Sequence, residues 1–373
     1  MRSALLAAAC LSLVVQVYAG EIATGSMLGP RYKSDRFYVR KTSTRWQETY
    51  RGGPYHRRAR GKLMAVGVSQ GLFEDEWLSE HPFDADANTD ALIAALDLYK
   101  SYGILAIGVS LQGADPGYDA ERNGIVRRSG AIYGQKEGSL VSAFESDGSL
   151  KPAWTARLDK LLQAADSRGM FVKLTYFHPA QDEVFDGPKE IIAGARNITQ
   201  WLVDGDHRNV IIDVAAGWDV GGEWDHDDFI SRNIAELVSE IREQFNGASF
   251  SLPIGASSGP SMLYPVSLAQ VCDVVLLDSS GLTSDVVARR LVEMSDYDRP
   301  LWVAAISGER MQPSSSSLQK GAGWMHNPQR LTQQFPFFYA PASEQPGAED
   351  LDALLRHVAA LVLKKPPVDR PAD

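Results

Sequence analysis

Cysteine is nearly absent from this chain. Of 373 residues only Cys10 and Cys272 carry thiols. Cys10 falls in an apolar N-terminal stretch that reads as removed, so no internal disulfide can form and stability must come from a packed core. Cys272, in VCDVVLLD, has no His or basic neighbour to lower its pKa and reads as a small buried hydrophobe. Signature motifs are equally scarce. There is no HExxH or paired-His spacing, no GxSxG nucleophile elbow and no phosphate-cradling glycine motif after the first strand-like run. Zinc hydrolases of that spacing, nucleophile-elbow serine chemistry and a dinucleotide-binding fold are thereby disfavoured, and neither a cofactor nor a metal is expected. His178, Asp182, Asp225, His226, Asp227 and Asp228 remain as available ligands, but WDHDD reads as a solvated helix start whose carboxylates meet the helix dipole. Ser314–Ser317 reads as a low-complexity loop.

Long apolar runs are also missing, except at the start. Met1–Ala19 joins a basic Arg2 to an apolar stretch and closes on Val17-Tyr18-Ala19, a small-x-small pattern that suits signal peptidase. The stretch is too short to span a bilayer comfortably. The expectation is a cleaved signal peptide, no transmembrane segment, and a secreted or periplasmic protein. What remains, with 44% hydrophobic and 23% charged residues over the whole chain, is enough for one large α/β barrel or two ordinary domains.

Charge is distributed unevenly. Residues 31–60 hold ten Lys/Arg against Asp35 and Glu48, a local +8. The first thirty residues are neutral and the chain totals −10, so residues 61–373 carry −18. That balance argues against an ordinary nucleic-acid binder. The basic stretch also interleaves aromatics, which would suit an anionic polymer or a membrane surface; the simpler reading is a segment lying along an acidic barrel.

From Lys62 onward, strand-like apolar runs alternate with amphipathic helical segments, which argues for βα units on a buried parallel sheet. Strands are expected at 62–70, 104–113, 170–177, 210–215, 249–255, 273–278 and 301–306, with an eighth near Gly321–Met325. Helices are expected at 90–102, 154–168, 189–203, 229–245, 285–294 and 351–363. The polar, glycine-rich stretch 114–148 is too long for an ordinary connection and reads as a functional loop. Eight units over this length fit an α/β fold, a (β/α)8 TIM barrel, as a single catalytic-type domain. The division is 1–19 signal peptide, 20–61 basic N-terminal extension, 62–363 barrel and 364–373 Pro-rich tail.

In such barrels the active site forms at the C-terminal ends of the strands. Those ends carry amides, hydroxyls and aromatics: Gln70, Gln112, Tyr176 to His178, Gly217 to Asp219, Ser257, Ser258, Asp278, Ser279 and Trp324. Flat rings meeting the C–H faces of sugars, with amides and hydroxyls meeting their hydroxyl groups, make this a carbohydrate-binding pattern. Gln112, Tyr176, His178, Trp218 and Trp324 are the expected binding residues, with Gln181 and Asp182 nearby. Asp213, inside a strand, reads as a buried hydrogen-bonding acid.

Four segments carry a more specific likeness: Leu96–Tyr118, Ser142–Asp166, Arg168–Asp182 and Asn209–His226. They resemble a bacterial cellulase-like glycoside hydrolase family, whose barrels place two catalytic glutamates at the ends of the fourth and seventh strands. The resemblance covers most of 62–335 and implies the barrel fold. At the two glutamate positions this chain has Gly217, after Ala216, and Ala305, after Ala304. A glycosidase needs two carboxyl groups about 5–5.5 Å apart to retain configuration, or roughly 6.5–9.5 Å apart to invert it. Glycine and alanine serve neither role. The resemblance therefore implies a pseudoglycosidase that binds a polysaccharide or oligosaccharide. Two alternatives stand beside it: an active glycosidase using relocated acids, Glu223 or Asp219 with Glu309, and an interaction protein that works through its basic arm.

Overall fold

The computed structural model describes residues 20–40, 45–51, 53–75, 83–113, 140–179, 181–306, 312–341 and 348–365. The signal peptide expected at 1–19, most of the loop expected at 114–148, Glu309 and most of the 364–373 tail lie outside the described residues.

Eight parallel strands form the central sheet: β1 (Met64–Gly67), β2 (Ala106–Ser110), β3 (Phe171–Phe177), β4 (Val210–Ala215), β5 (Ile254–Gly255), β6 (Val275–Asp278), β7 (Leu301–Ile306) and β8 (Gly323–Asn327). They pair in the order β5-β4-β3-β2-β1-β8-β7-β6. The two ends of that order then meet. Ser257 bridges Leu276, Ser258 N donates to Leu276 O at 3.0 Å, and Asp273 N donates to Ile254 O at 2.7 Å. The sheet closes into a barrel, and the α/β TIM-barrel expectation holds. The strands read as unbroken apolar runs because helices cover their outer face while the other face is barrel interior.

Eight helices follow the strands in turn: α1 (Ala85–Ser101), α2 (Pro152–Ser167), α3 (Pro188–Asp204), α4 (Asp227–Glu243), α5 (Val266–Val271), α6 (Ser284–Glu293), α7 (Gln312–Lys320) and α8 (Ala348–Val362). Local chemistry sets their ends. Asp84 caps α1 by accepting from Ala87 N at 2.9 Å, and prolines open α2 and α3 at a position where a missing N–H costs nothing. Two helices differ from the sequence reading. No helix was expected at α5, and Ser314–Ser317, expected in a loop, lies within α7. Ser317 and Leu318 are buried there, and Lys62 donates its ammonium to Leu318 O at 2.6 Å, so tertiary contacts override weak local propensity. No helix among the described residues is long and apolar enough to cross a membrane.

Register fixes which side chains face the barrel interior. Asp278, Ala304, Met325 and Ala65 lie in one row, and Asn327, Gly67, Gly108 and Lys173 in the next. A Cβ on Gly67 would sit 1.8 Å from Asn327 Oδ1, and one on Gly108 2.7 Å from Met325 Sδ. Those two glycines make room inside the barrel for Met325 and Asn327.

The N-terminal residues seal the lower end. Glu21–Thr24, Phe37–Arg40 and Gln47–Glu48 form a small antiparallel sheet. Its Ile22 and Phe37 are buried, Phe37 sets its ring edge-on to Trp302 at 6.0 Å, and Ile22 N donates to Arg208 O just ahead of β4. Tyr50 accepts from Met64 N at 3.2 Å and donates to Gly103 O at 2.5 Å, pinning the starts of β1 and β2.

Candidate functional site at the barrel mouth

The floor of the mouth is a buried ion pair. Alternation in β3 turns Lys173 and Thr175 inward, and the same alternation in β4 turns Asp213 toward them. Asp213 Oδ2 accepts from Lys173 Nζ at 2.5 Å, Thr175 Oγ1 at 2.9 Å and Ser257 Oγ at 2.8 Å, while Oδ1 accepts from Ser257 N at 2.8 Å. Lys173 Nζ lies 3.1 Å from Thr175 Oγ1. A carboxylate removed from water survives only with such complete pairing. Asp213 is the hydrogen-bonding acid that the sequence suggests.

Two further acids flank the segment that follows β5. Asp219 Oδ1 accepts from Gly259 N, and Asp278 N lies 3.5 Å from Ser258 Oγ. Asp278 itself accepts from Ser280 N at 2.8 Å and Ser280 Oγ at 2.6 Å. Burial pushes the Asp278 carboxyl above the ordinary range; its bonds to Ser280 and the Lys173 charge pull it back, and the Asp219 charge pushes it further up. His178 caps β3 beside this group. Burial lowers its pKa, a contact with Pro179 O and the Asp213 charge oppose that, and Lys173 adds to the lowering.

The turn after β4 supplies the aromatic. Ala216 N donates to Phe177 O, Gly217 takes φ +60°, and Trp218 N donates to Ser257 O at 3.1 Å. The Trp218 ring is half-buried and its indole N–H has no hydrogen-bond partner. Trp224 locks the turn from behind by donating to Gly217 O at 3.2 Å.

No protein-family model matches this chain, and no curated protein is similar to it. Solved structures are similar in shape. A GH5-4 broad-specificity endoglucanase from Ruminococcus flavefaciens aligns with a TM-score of 0.50 at 9% identity, over 79% of this chain and 95% of that one. A second, from Clostridium longisporum, gives 0.49 at 10% identity over 80% and 96%. A protein assigned to the glycoside hydrolases from Bacteroides vulgatus gives 0.49 at 13% identity; it is longer, and this chain spans 66% of it while aligning over 86% of its own length. The chain shares the (β/α)8 barrel fold of these proteins. At these identities the likeness is one of fold.

Within this barrel the expected site residues separate into two groups. His178, Trp218 and Asp219 stand at the mouth. Gln112 is buried there as a staple: its amide donates to Ser142 Oγ at 3.2 Å and Gln181 O at 3.0 Å, and its carbonyl accepts from His178 N at 2.9 Å. Gln112 holds His178 rather than facing a ligand. Gln181 accepts from Val141 N at 2.7 Å. Asp182 accepts from Asp225 N at 3.2 Å and His226 N at 2.8 Å, clamping the loop ahead of α4; burial raises its pKa while those two bonds lower it.

Tyr176 and Trp324 are not at the mouth. Tyr176 points outward and meets Thr199 of α3 at 3.1 Å, fully buried. Trp324 was placed at a strand end, but β8 runs on to Asn327, leaving Trp324 near its start and 3% exposed. It shares a face with His326, whose ring meets His357 of α8. The residue that ends β8 facing inward is Asn327, whose buried Oδ1 has no partner. Ala305 likewise faces the helical layer by alternation, and Ala304, in register with Asp278, faces the interior. Glu223 is half-buried in the loop ahead of α4. Among the described residues no group of three His, Cys, Asp or Glu could hold a metal ion.

Sequence reasoning passed over Lys173. Its signal is a lone cation inside the apolar strand FVKLTYF, which requires a buried partner. That partner, Asp213, lies forty residues away in the sequence, on the adjoining strand.

Proposed function

We propose that this protein is an exported, glycan-binding member of the glycoside-hydrolase-like barrels that lacks the usual pair of catalytic glutamates. The observation that carries the reading is Trp218, half-buried in the turn after β4 with its backbone N–H bonded to Ser257 O, at the same end of the barrel as Asp219, Asp278 and His178. An aromatic face flanked by carboxylates and hydroxyls matches the amphipathic surface of a sugar ring. The lack of glutamates rests on Gly217 in the turn after β4 and on Ala304 and Ala305 in β7. Export is read from Met1–Ala19. A glycan array followed by calorimetry on the purified protein is the test. Binding of at least one oligosaccharide, weakened about tenfold or more by Trp218→Ala, is expected, in line with roughly 1–3 kcal/mol for a lost aromatic platform. Absence of binding to every glycan would end this reading.

One observation favours a second reading, an active hydrolase. Asp278 is pushed toward the protonated form and its neighbour Asp219 contributes to that push. Asp219 accepts from Gly259 N and Asp278 N lies 3.5 Å from Ser258 Oγ, so two carboxyl groups flank one short segment at the mouth, and a pair of carboxyl groups is what glycoside cleavage needs. Turnover of a bound glycan that Asp278→Asn abolishes would select this reading over the first.

A further inference from the structure

We propose that the lower end of the barrel, the pole opposite the mouth, is a docking face for an anionic lipid bilayer. The sequence concentrates positive charge at 31–60, and the fold adds more from elsewhere. Tyr55 bridges Leu363, His56 N donates to Val362 O, and Lys364 N donates to Pro54 O, so the end of α8 lies against the 51–60 segment. Gly103, which closes α1, packs on Val362 and Leu363 and brings Lys100 to the same pole. Arg51, Arg57, Arg58, Lys364, Lys365 and Lys100 are all exposed there, and none has a carboxylate partner among the described residues.

Helix dipoles account for part of this arrangement, because Lys100 and Lys364 sit at helix C-termini where cations are favoured. They do not account for Arg51, Arg57 and Arg58, which come from a loop and a 3-10 turn. Nor does the acidic barrel neutralise them: the nearby carboxylates Asp35 and Glu48 reach only Arg36 and Arg60, the latter at 3.9 Å. The occupant follows from charge and shape. Residues 31–60 carry +8 while residues 61–373 carry −18, and a negatively charged surface is attracted to the cluster of cations beside the end of α8. A flat bilayer meets one pole and leaves the mouth pointing away from it. A soluble polyanion drawn by the same cations is the competing occupant, and the test separates it from a bilayer.

The test is co-sedimentation of the purified protein with phosphatidylcholine vesicles that contain or lack phosphatidylglycerol, across a salt series. Binding to the anionic vesicles alone, falling steeply with salt, is expected. The triple variant Arg57→Glu/Arg58→Glu/Lys365→Glu should bind at least about a hundredfold more weakly, at roughly fivefold for each cation lost from the membrane surface. Its thermal melt should match the parent, because all three side chains are exposed. Trp218→Ala should bind vesicles as the parent does. Equal binding to neutral vesicles, or undiminished binding by the triple variant, would overturn the proposal. So would binding to soluble polygalacturonate or duplex DNA as tight as to anionic vesicles at the same salt, since that would assign the face to a polymer.

Discussion

At the base of the barrel, Ile22, Phe37 and Tyr50 are buried against strand starts, and polar groups such as the Tyr50 hydroxyl and the Lys62 ammonium meet backbone partners. At the mouth, four titratable side chains, Lys173, Asp213, Asp278 and His178, influence one another in a buried space, and the Trp218 and Asn327 polar atoms have no partner. Apolar burial holds the lower end, where the Trp302 indole N–H also lacks a partner, whereas the upper end is built around a buried charge pair. An end lined by buried charges is suited to a polar ligand, and one filled by apolar side chains is suited to holding the strands in register.

The comparison breaks most visibly at Lys173. Replacing it with methionine leaves the Asp213 carboxylate buried without its counter-charge, and a cost of about 3–5 kcal/mol is expected in urea denaturation. The double variant Lys173→Met/Asp213→Leu should recover most of that loss, because exchanging both members of a buried pair for apolar groups is often neutral. A Lys173→Met loss below about 1 kcal/mol would mean that the floor of the mouth is as tolerant as the base.

A pH series gives the next largest effect. Burial, aided by the nearby His357, pushes the His326 imidazole from its ordinary 6.5 down to about 3. The folded value lies below the unfolded one, so the unfolded chain binds the extra proton. Stability is intact above pH 6.5 and is lost as pH falls toward 3, by an amount on the order of a few kcal/mol. Asp278, Asp182 and Asp273 titrate the other way. Their raised values make the folded chain hold protons longer, so their contribution declines as pH rises through their window above 3.8. His326→Phe should flatten the loss between pH 6.5 and 3 relative to the parent chain; an unchanged slope would assign the acid sensitivity to the other histidines that burial lowers, His178 and His207.

His326 also marks where the sequence stops being legible. The alternation of apolar runs with amphipathic helices gave the barrel, because parallel strands buried on both faces leave that pattern whatever their detailed packing. β4 and β7 fall at 210–215 and 301–306, where the sequence places them, while the fifth strand shrinks from 249–255 to Ile254–Gly255. Side-chain direction was much harder to read. Moving along a strand by one residue exchanges interior for exterior. Tyr176, Trp324 and Ala305 look like site positions in the sequence, but each lies on the outward phase, and their inward neighbours are Thr175, Met325 and Ala304. The Lys173–Asp213 pair escaped for a different reason: it joins two strands, and single-strand patterning carries no information about a partner on the next one.

The smallest effect concerns Gly217, and it sharpens the comparison because it tests whether the mouth could simply be re-armed. Gly217 has φ +60°, and a Cβ there would meet Val220 Cγ2 at 3.0 Å. Gly217→Ala should therefore cost about 1–2 kcal/mol from the left-handed backbone alone, with a little more if Val220 cannot shift. Thermal or urea denaturation of this variant measures the cost, and a neutral result would show the turn to be free to rearrange. Glutamate at 217 would meet the same strain, and glutamate at 305 would project toward the helical layer instead of the mouth. A variant carrying both would thus be expected to stay inactive even over an intact glycan cleft. Ala304→Glu is the substitution that points a carboxyl inward, level with Asp278, and activity appearing there but not with Ala305→Glu would confirm the phase assigned to β7.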